Sequence, residues 1–130
     1  MKTIKAAFIG LGSVNKTLLQ ILADKKDILA GKYGVVIKPV MVTDSSGSAV
    51  NNDGFDNLSL IAHKQSGKRV SDLSGFQTGT TLDVMMSAEP DLVFEASPVD
   101  LETGGEALDI TRAALAKGIS VVCANKGPVV

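Results

Sequence analysis

The chain has 130 residues, 45% of them apolar and 21% charged, with a formal net charge of -1. That length suits one domain, able to bury roughly two-thirds of its unfolded surface around a single core. Near-neutral charge, four Phe, one Tyr and no Trp give neither the electrostatic footprint nor the stacking platforms that nucleic acid or an anionic membrane would require. Cys123 is the only cysteine, so no internal disulfide forms and a reducing cytoplasm fits best. No apolar run approaches the roughly 18 residues of a membrane span.

Ile4–Gly10 is nearly all apolar, which predicts a strand covered on both faces. The turn "GLGS" follows. Val14, Leu18, Leu19, Ile21, Leu22, Ile28 and Leu29 then fall at helical spacing and predict one long helix, stopped near Gly31 and Gly34. Val35–Val42 is a second β-rich run. Pro39 removes a donor there, so this strand is expected to be bulged or near an edge for part of its length. Asp44–Asp56, "DSSGSAVNNDGFD", reads as loop. Leu58–Gln65 predicts a short helix and Thr81–Ala88 another, ending before Glu89–Pro90 because the residue before proline avoids the helical region.

Leu92–Ala96 is a compact strand. Thr103 and Glu106 have capping-box spacing and open a helix with Ala107, Leu108, Ile110, Ala114 and Leu115 expected inward. Lys117–Gly118 ends it, and Ser120–Cys123 is the last strand. Strands alternating with helices predict an α/β fold, a doubly wound, mostly parallel sheet with helices on both faces. Ligands of such sheets bind at the carboxyl ends of the strands where strand order reverses. Gly10–Val14, Thr43–Ser45, Ser97–Asp100 and Ala124–Lys126 are therefore expected along one rim.

Gly10 and Gly12 are the first two glycines of a G-x-G-x-x-G fingerprint between a strand and a helix. The first permits the tight turn, and the second lets a pyrophosphate approach the positive end of the helix. Asn15 holds the third position, so the helix is expected to lie slightly outward or the side chain to point sideways. Asp44 ends the second strand, where a ribose-binding acid belongs; a turn-forming aspartate before Ser-Ser-Gly is the equally open reading. An acid on the ribose would favour NAD, whereas Lys64, Lys68 or Arg69 would supply a phosphate clamp if their loop folds over. Glu95 lies inside an apolar strand and is expected to have a structural role. His63 is expected at the surface and Cys123 buried and inert. His63 and Cys123 have no second histidine or cysteine with which to hold a metal. Asn125 and Lys126 follow the last strand directly; either they serve the rim or they are turn residues before Gly-Pro.

Three segments, "GLGSVN", "EASPVDLETGGEALDITRAALAKG" and "SVVCANKGPVV", together resemble the amino-terminal domain of homoserine dehydrogenase, a Rossmann-type NAD(P)-binding domain. The match is continuous over Glu95–Val130 and loose over Ser46–Gly79. The resemblance implies reversible hydride transfer between NAD or NADP and a small-molecule substrate, the pair L-homoserine and L-aspartate 4-semialdehyde. By motif, Gly10, Leu11, Gly12, Ser13, Val14 and Asn15 would hold the pyrophosphate side, with Asp44 and Ser45 beyond it. Ser97 and Pro98 would line the nicotinamide side. Asn125 and the catalytic Lys126 would meet the nicotinamide end and the substrate. Asn15, Ser97 and Cys123 depart from the family pattern of glycine, threonine and threonine. The resemblance further implies that residues 1–130 form the cofactor-binding part of a longer, homodimeric enzyme. A second lysine, the proton donor, would lie beyond Val130, so this part alone would bind dinucleotide weakly and turn over nothing. The alternatives are a dehydrogenase acting on aspartate or its semialdehyde, or a non-catalytic dinucleotide sensor.

Overall fold

The computed structural model describes residues 2–96 and 105–123. Its elements in chain order are β1 (Lys2–Ile9), α1 (Ser13–Asp24), α2 (Lys26–Tyr33), β2 (Val35–Asp44), β3 (Gly47–Val50), α3 (Asn57–Gln65), β4 (Phe76–Gln77), α4 (Thr81–Ala88), β5 (Leu92–Glu95), α5 (Gly105–Ala116) and β6 (Ser120–Cys123). A 3-10 turn at Val70–Asp72 lies between α3 and β4. The sheet order is β4-β3-β2-β1-β5-β6. β1 runs parallel to β2 and β5, and β5 parallel to β6. The doubly wound α/β expectation holds for these four strands, and β3 and β4 extend the sheet antiparallel.

Side chains alternate across each strand, and the two faces of the sheet carry separate cores. Ala6, Phe8, Val42 and Phe94 pack under α1 and α3 through Leu19, Leu60 and Ile61. Ala7, Ile9, Met41 and Val93 pack under α4 and α5 through Val84, Met85, Ile110 and Ala114. Helices thus cover both faces, which is why the inner half of β1, Ala6 to Ile9, reads as an apolar run. Phe8 and Phe94 stack with ring centroids 4.9 Å apart, a pairing that contributes about 0.5–1.5 kcal/mol beyond area burial.

Pro39 does what its chemistry demands. Ala6 opposes Pro39 and Ala7 opposes Met41, so Val40 is an extra residue in β2. β3 pairs only from Met41 onward, which leaves Val35–Pro39 as an edge on that side. The missing N–H of Pro39 therefore falls where no ladder bond is required.

Three expectations need correction. The stretch after Asp44 is a hairpin, not a loop, because Gly47–Val50 finds the outer edge of β2. The first helix is two helices. Lys25, at φ -97° and ψ 8°, leaves the helical path, within a charged run that presents no apolar side chain between Ala23 and Ile28. Leu115 is 60% exposed while Ile110 and Ala114 are buried; at 3.6 residues per turn Leu115 sits about 140° around α5 from Ile110. The remaining stops are as expected. Glu89, before Pro90, turns to φ 50°, and Gly34 closes α2 at φ 64°. Thr103 lies outside the described residues. No helix among the described residues is long and apolar enough to cross a membrane.

Candidate functional site

Strand order reverses at β1, whose neighbours β2 and β5 are reached across opposite faces of the sheet. A cavity of about 420 Å³ opens at that end, the place where open α/β sheets bind ligands. The Gly10–Gly12 turn, Thr43–Ser45 at the end of β2, and Ala96 after β5 line it, with Thr81 from α4 closing the far side.

The turn is anchored from β2. Gly10 N–H donates to the Thr43 hydroxyl at 3.0 Å, and Leu11 N–H donates to the Thr43 carbonyl at 2.7 Å. Gly10 has φ 85°, a conformation that a side chain rarely adopts. Gly12 is different. Its φ of -101° suits any residue, and a Cβ built on it meets nothing within 4 Å. Glycine there leaves open space beside the backbone rather than satisfying a strained turn.

Directly after Gly12, α1 begins with no side-chain cap and no acidic residue in its first turn. Its first helical bond runs from Lys16 N–H to the Gly12 carbonyl, so the N–H groups of Ser13, Val14 and Asn15 precede the ladder. An uncapped helix start carries partial positive charge and suits an anion.

Asp44 stands at the end of β2, as expected, and its carboxylate is heavily engaged. Oδ1 accepts from the Ser46 N–H at 2.7 Å and from the Ser46 hydroxyl. Oδ2 accepts from Lys64 Nζ at 2.7 Å and from Val70 N–H at 2.8 Å. Burial pushes the carboxyl pKa up, but the bonds from Lys64, Ser46 and Val70 outweigh it and hold the group at about 2. Lys64 belongs to the last turn of α3 rather than to a loop, and its cation meets Asp44, forming an ion pair that neutralises the carboxylate. His63 Nε2 lies 2.7 Å from the Arg69 carbonyl. A carbonyl only accepts, so that nitrogen carries the proton.

One cavity therefore gathers Gly10, Leu11, Gly12, Asp44 and Ser45, with Ser13 and Val14 exposed at the adjoining helix start. Asn15 is 1% exposed, and its amide reaches the carbonyls of Ile9 on β1 and Phe94 on β5. Glu95 is fully buried at the end of β5, opposite Ile9. Ser97, Pro98, Asn125 and Lys126 lie outside the described residues, as does the side chain of Cys123. Thr43 falls on the expected rim, though its anchoring of the turn was not foreseen, and Thr81 was not singled out from sequence, where it is one threonine among several with no spacing signal. A second concavity, about 330 Å³, lies toward the opposite end of β2, between α1 and the segment Asp53–Leu58 that leads into α3, away from the glycine turn. No cluster that could hold a metal occurs among the described residues.

No family model matches the chain. It is 36% identical over 121 residues to a homoserine dehydrogenase of Methanocaldococcus jannaschii, across 92% of this chain and 36% of the relative. It is 32% identical over 131 residues to an NAD(+)-dependent homoserine dehydrogenase of Pseudomonas canavaninivorans, across 99% of this chain and 37% of the relative. Among solved structures, a hyperthermophilic archaeal homoserine dehydrogenase in complex with NADPH superposes with a TM-score of 0.80 at 27% identity, over 98% of this chain and 37% of that one. The homoserine dehydrogenase of Thermoplasma acidophilum superposes with a TM-score of 0.77 at 28% identity. The chain spans a little over a third of the length of the relatives it matches.

Proposed function

We propose that this chain, homologous to homoserine dehydrogenases along nearly all of its length, is the NAD(P)-binding part of such an enzyme. The whole protein would interconvert L-homoserine and L-aspartate 4-semialdehyde, as a cytoplasmic homodimer. The observation that carries this reading is the uncapped start of α1, beside the open flank of Gly12, facing a cavity at the strand-order switch.

The residues present fit a dinucleotide. N–H groups of Ser13 and Val14 would hold the pyrophosphate, and the bare backbone at Gly12 lets it come close. Asp44 and Ser45 stand toward the ribose side. Because Lys64 neutralises Asp44, the end of β2 lacks the bare carboxylate that repels a 2′-phosphate, so NAD and NADP are both admissible. Ser97 and Pro98 are carried over by motif to the nicotinamide side, and Asn125 to the nicotinamide end. Bound nicotinamide supplies hydride transfer. Lys126 is assigned, by the same motif, to orient the substrate with its ammonium group.

Calorimetric titration with NADH and NADPH tests the reading. A folded protein should bind at least one of them. Gly12→Val should weaken that binding by about a hundredfold or more, roughly 2.8 kcal/mol, with little change in thermal stability, because a Cβ there meets nothing within 4 Å. A folded parent protein that binds neither nucleotide overturns the proposal. Homoserine-dependent reduction of NAD(P)+ by the full-length protein tests the substrate.

A further inference from the structure

Asn15 occupies the fingerprint position where glycine ordinarily lets the helix lie close against the strand. Its Nδ2 is 3.1 Å from the Ile9 carbonyl, 3.1 Å from the Gly10 carbonyl and 3.3 Å from the Phe94 carbonyl. All three neighbours only accept, so the NH2 end of the amide must face them; the reverse orientation would set oxygen against three oxygens. On the other side Oδ1 is buried and finds no donor among the described residues. Burying a polar amide costs free energy that a glycine would avoid. The amide must therefore contribute something that a glycine does not.

Its three acceptors belong to two walls of the cavity. Ile9 and Gly10 form the turn beneath the start of α1. Phe94 lies on β5, two residues before Ala96, which lines the cavity from the other side. The turn is already tied to β2 through Thr43, and the asparagine adds the corresponding tie to β5. The bond from Ala96 N–H to the Ile9 carbonyl at 2.8 Å closes the same junction. The amide has two N–H hydrogens for three carbonyl oxygens, so at least one is shared between acceptors and couples them.

We propose that Asn15 is a positioning residue for the dinucleotide, fixing the glycine turn relative to the end of β5 so that the pyrophosphate and nicotinamide halves of the ligand are held at one separation. This rests on the dinucleotide reading above. A ligand that spans both walls feels that separation; one that reaches only the turn and β2 does not.

The test compares NADH with ADP by calorimetry, using the full-length protein and its Asn15→Ala and Asn15→Gly variants. NADH affinity should fall by about tenfold or more, and ADP affinity by no more than about threefold. A merely structural asparagine would lower both equally along with the melting temperature, and equal losses, or none in a folded variant, overturn the inference. A parent that binds neither ligand would instead defeat the dinucleotide reading itself. Asn15→Asp serves if the truncations do not fold. Burial among three carbonyls raises the pKa of that carboxyl, so the protonated form keeps one donor at low pH. Its NADH-to-ADP affinity ratio should then fall as pH rises from about 5 to about 8 while that of the parent stays level; a ratio independent of pH overturns the inference.

Discussion

Replacing Asp44 with asparagine removes charge while keeping shape, and the cost follows from the four donors around it. Asparagine retains one oxygen for Ser46 but presents its NH2 to Lys64 Nζ and Val70 N–H, or the reverse if flipped. Either way two donors lose their acceptor, and Lys64, whose side chain is 17% exposed, loses its counter-charge. A hydrogen bond to a charged group contributes about 1.5–3 kcal/mol, but Lys64 regains some water and its pairing is screened. The net loss is about 2–3 kcal/mol, a fall in melting temperature of roughly 6–12 °C for a domain of this size. The gap depends on pH. The carboxyl titrates at about 2 in the folded chain against 3.8 when unperturbed, so its stabilisation is fully present above 3.8 and is lost as pH falls toward 2. Thermal melts of parent and Asp44→Asn, followed by circular dichroism from near-neutral pH down to about 2, should therefore converge at the acid end. A gap that persists unchanged at the lowest pH, or none at neutral pH, refutes the assignment of Asp44 as the anchor between the hairpin, the end of α3 and the Val70–Asp72 turn.

Two further outcomes are expected. Thr43→Val keeps volume but removes the acceptor for Gly10 N–H, and should cost about 1 kcal/mol in urea denaturation while also weakening dinucleotide binding; an unchanged denaturation midpoint would contradict the anchoring of the turn. Glu89→Gly relieves a left-handed backbone at φ 50° and should raise stability by about 0.5–1 kcal/mol, read as a higher melting temperature.

Much of the architecture could be read directly from residue patterns, for identifiable reasons. Ala6–Ile9 of β1 and Leu92–Phe94 of β5 are covered on both faces, so these apolar runs are continuous, and α4 stops where Pro90 forbids another turn. The hairpin escaped notice because Ser48 and Ala49, both fully buried, are small; nothing in Gly-Ser-Ala-Val signals a strand until β2 offers its edge. The break at Lys25 was hidden because Leu22, Ile28 and Leu29 keep an acceptable helical spacing across it. The glycine turn and the acid at the end of β2 were visible as positions, but their partners were not. Lys64 meets Asp44 from twenty residues away, and the Asn15 amide reaches a carbonyl on β5 seventy-nine residues away. Such pairings are settled by tertiary packing, to which local spacing is blind.

The extra residue at Val40 works as a phase shifter. Upstream of it, odd-numbered β2 side chains such as Ile37 share the core with α1; downstream, even-numbered ones such as Val42 do. That change of parity puts Asp44 on the side where Lys64 waits. Were Val40 instead drawn into the ladder opposite Ala7, every later side chain would change face and the acid would turn through the sheet toward the opposite pair of helices, stranding the lysine. The binding rim is thus assembled partly by a miscount four residues upstream of it.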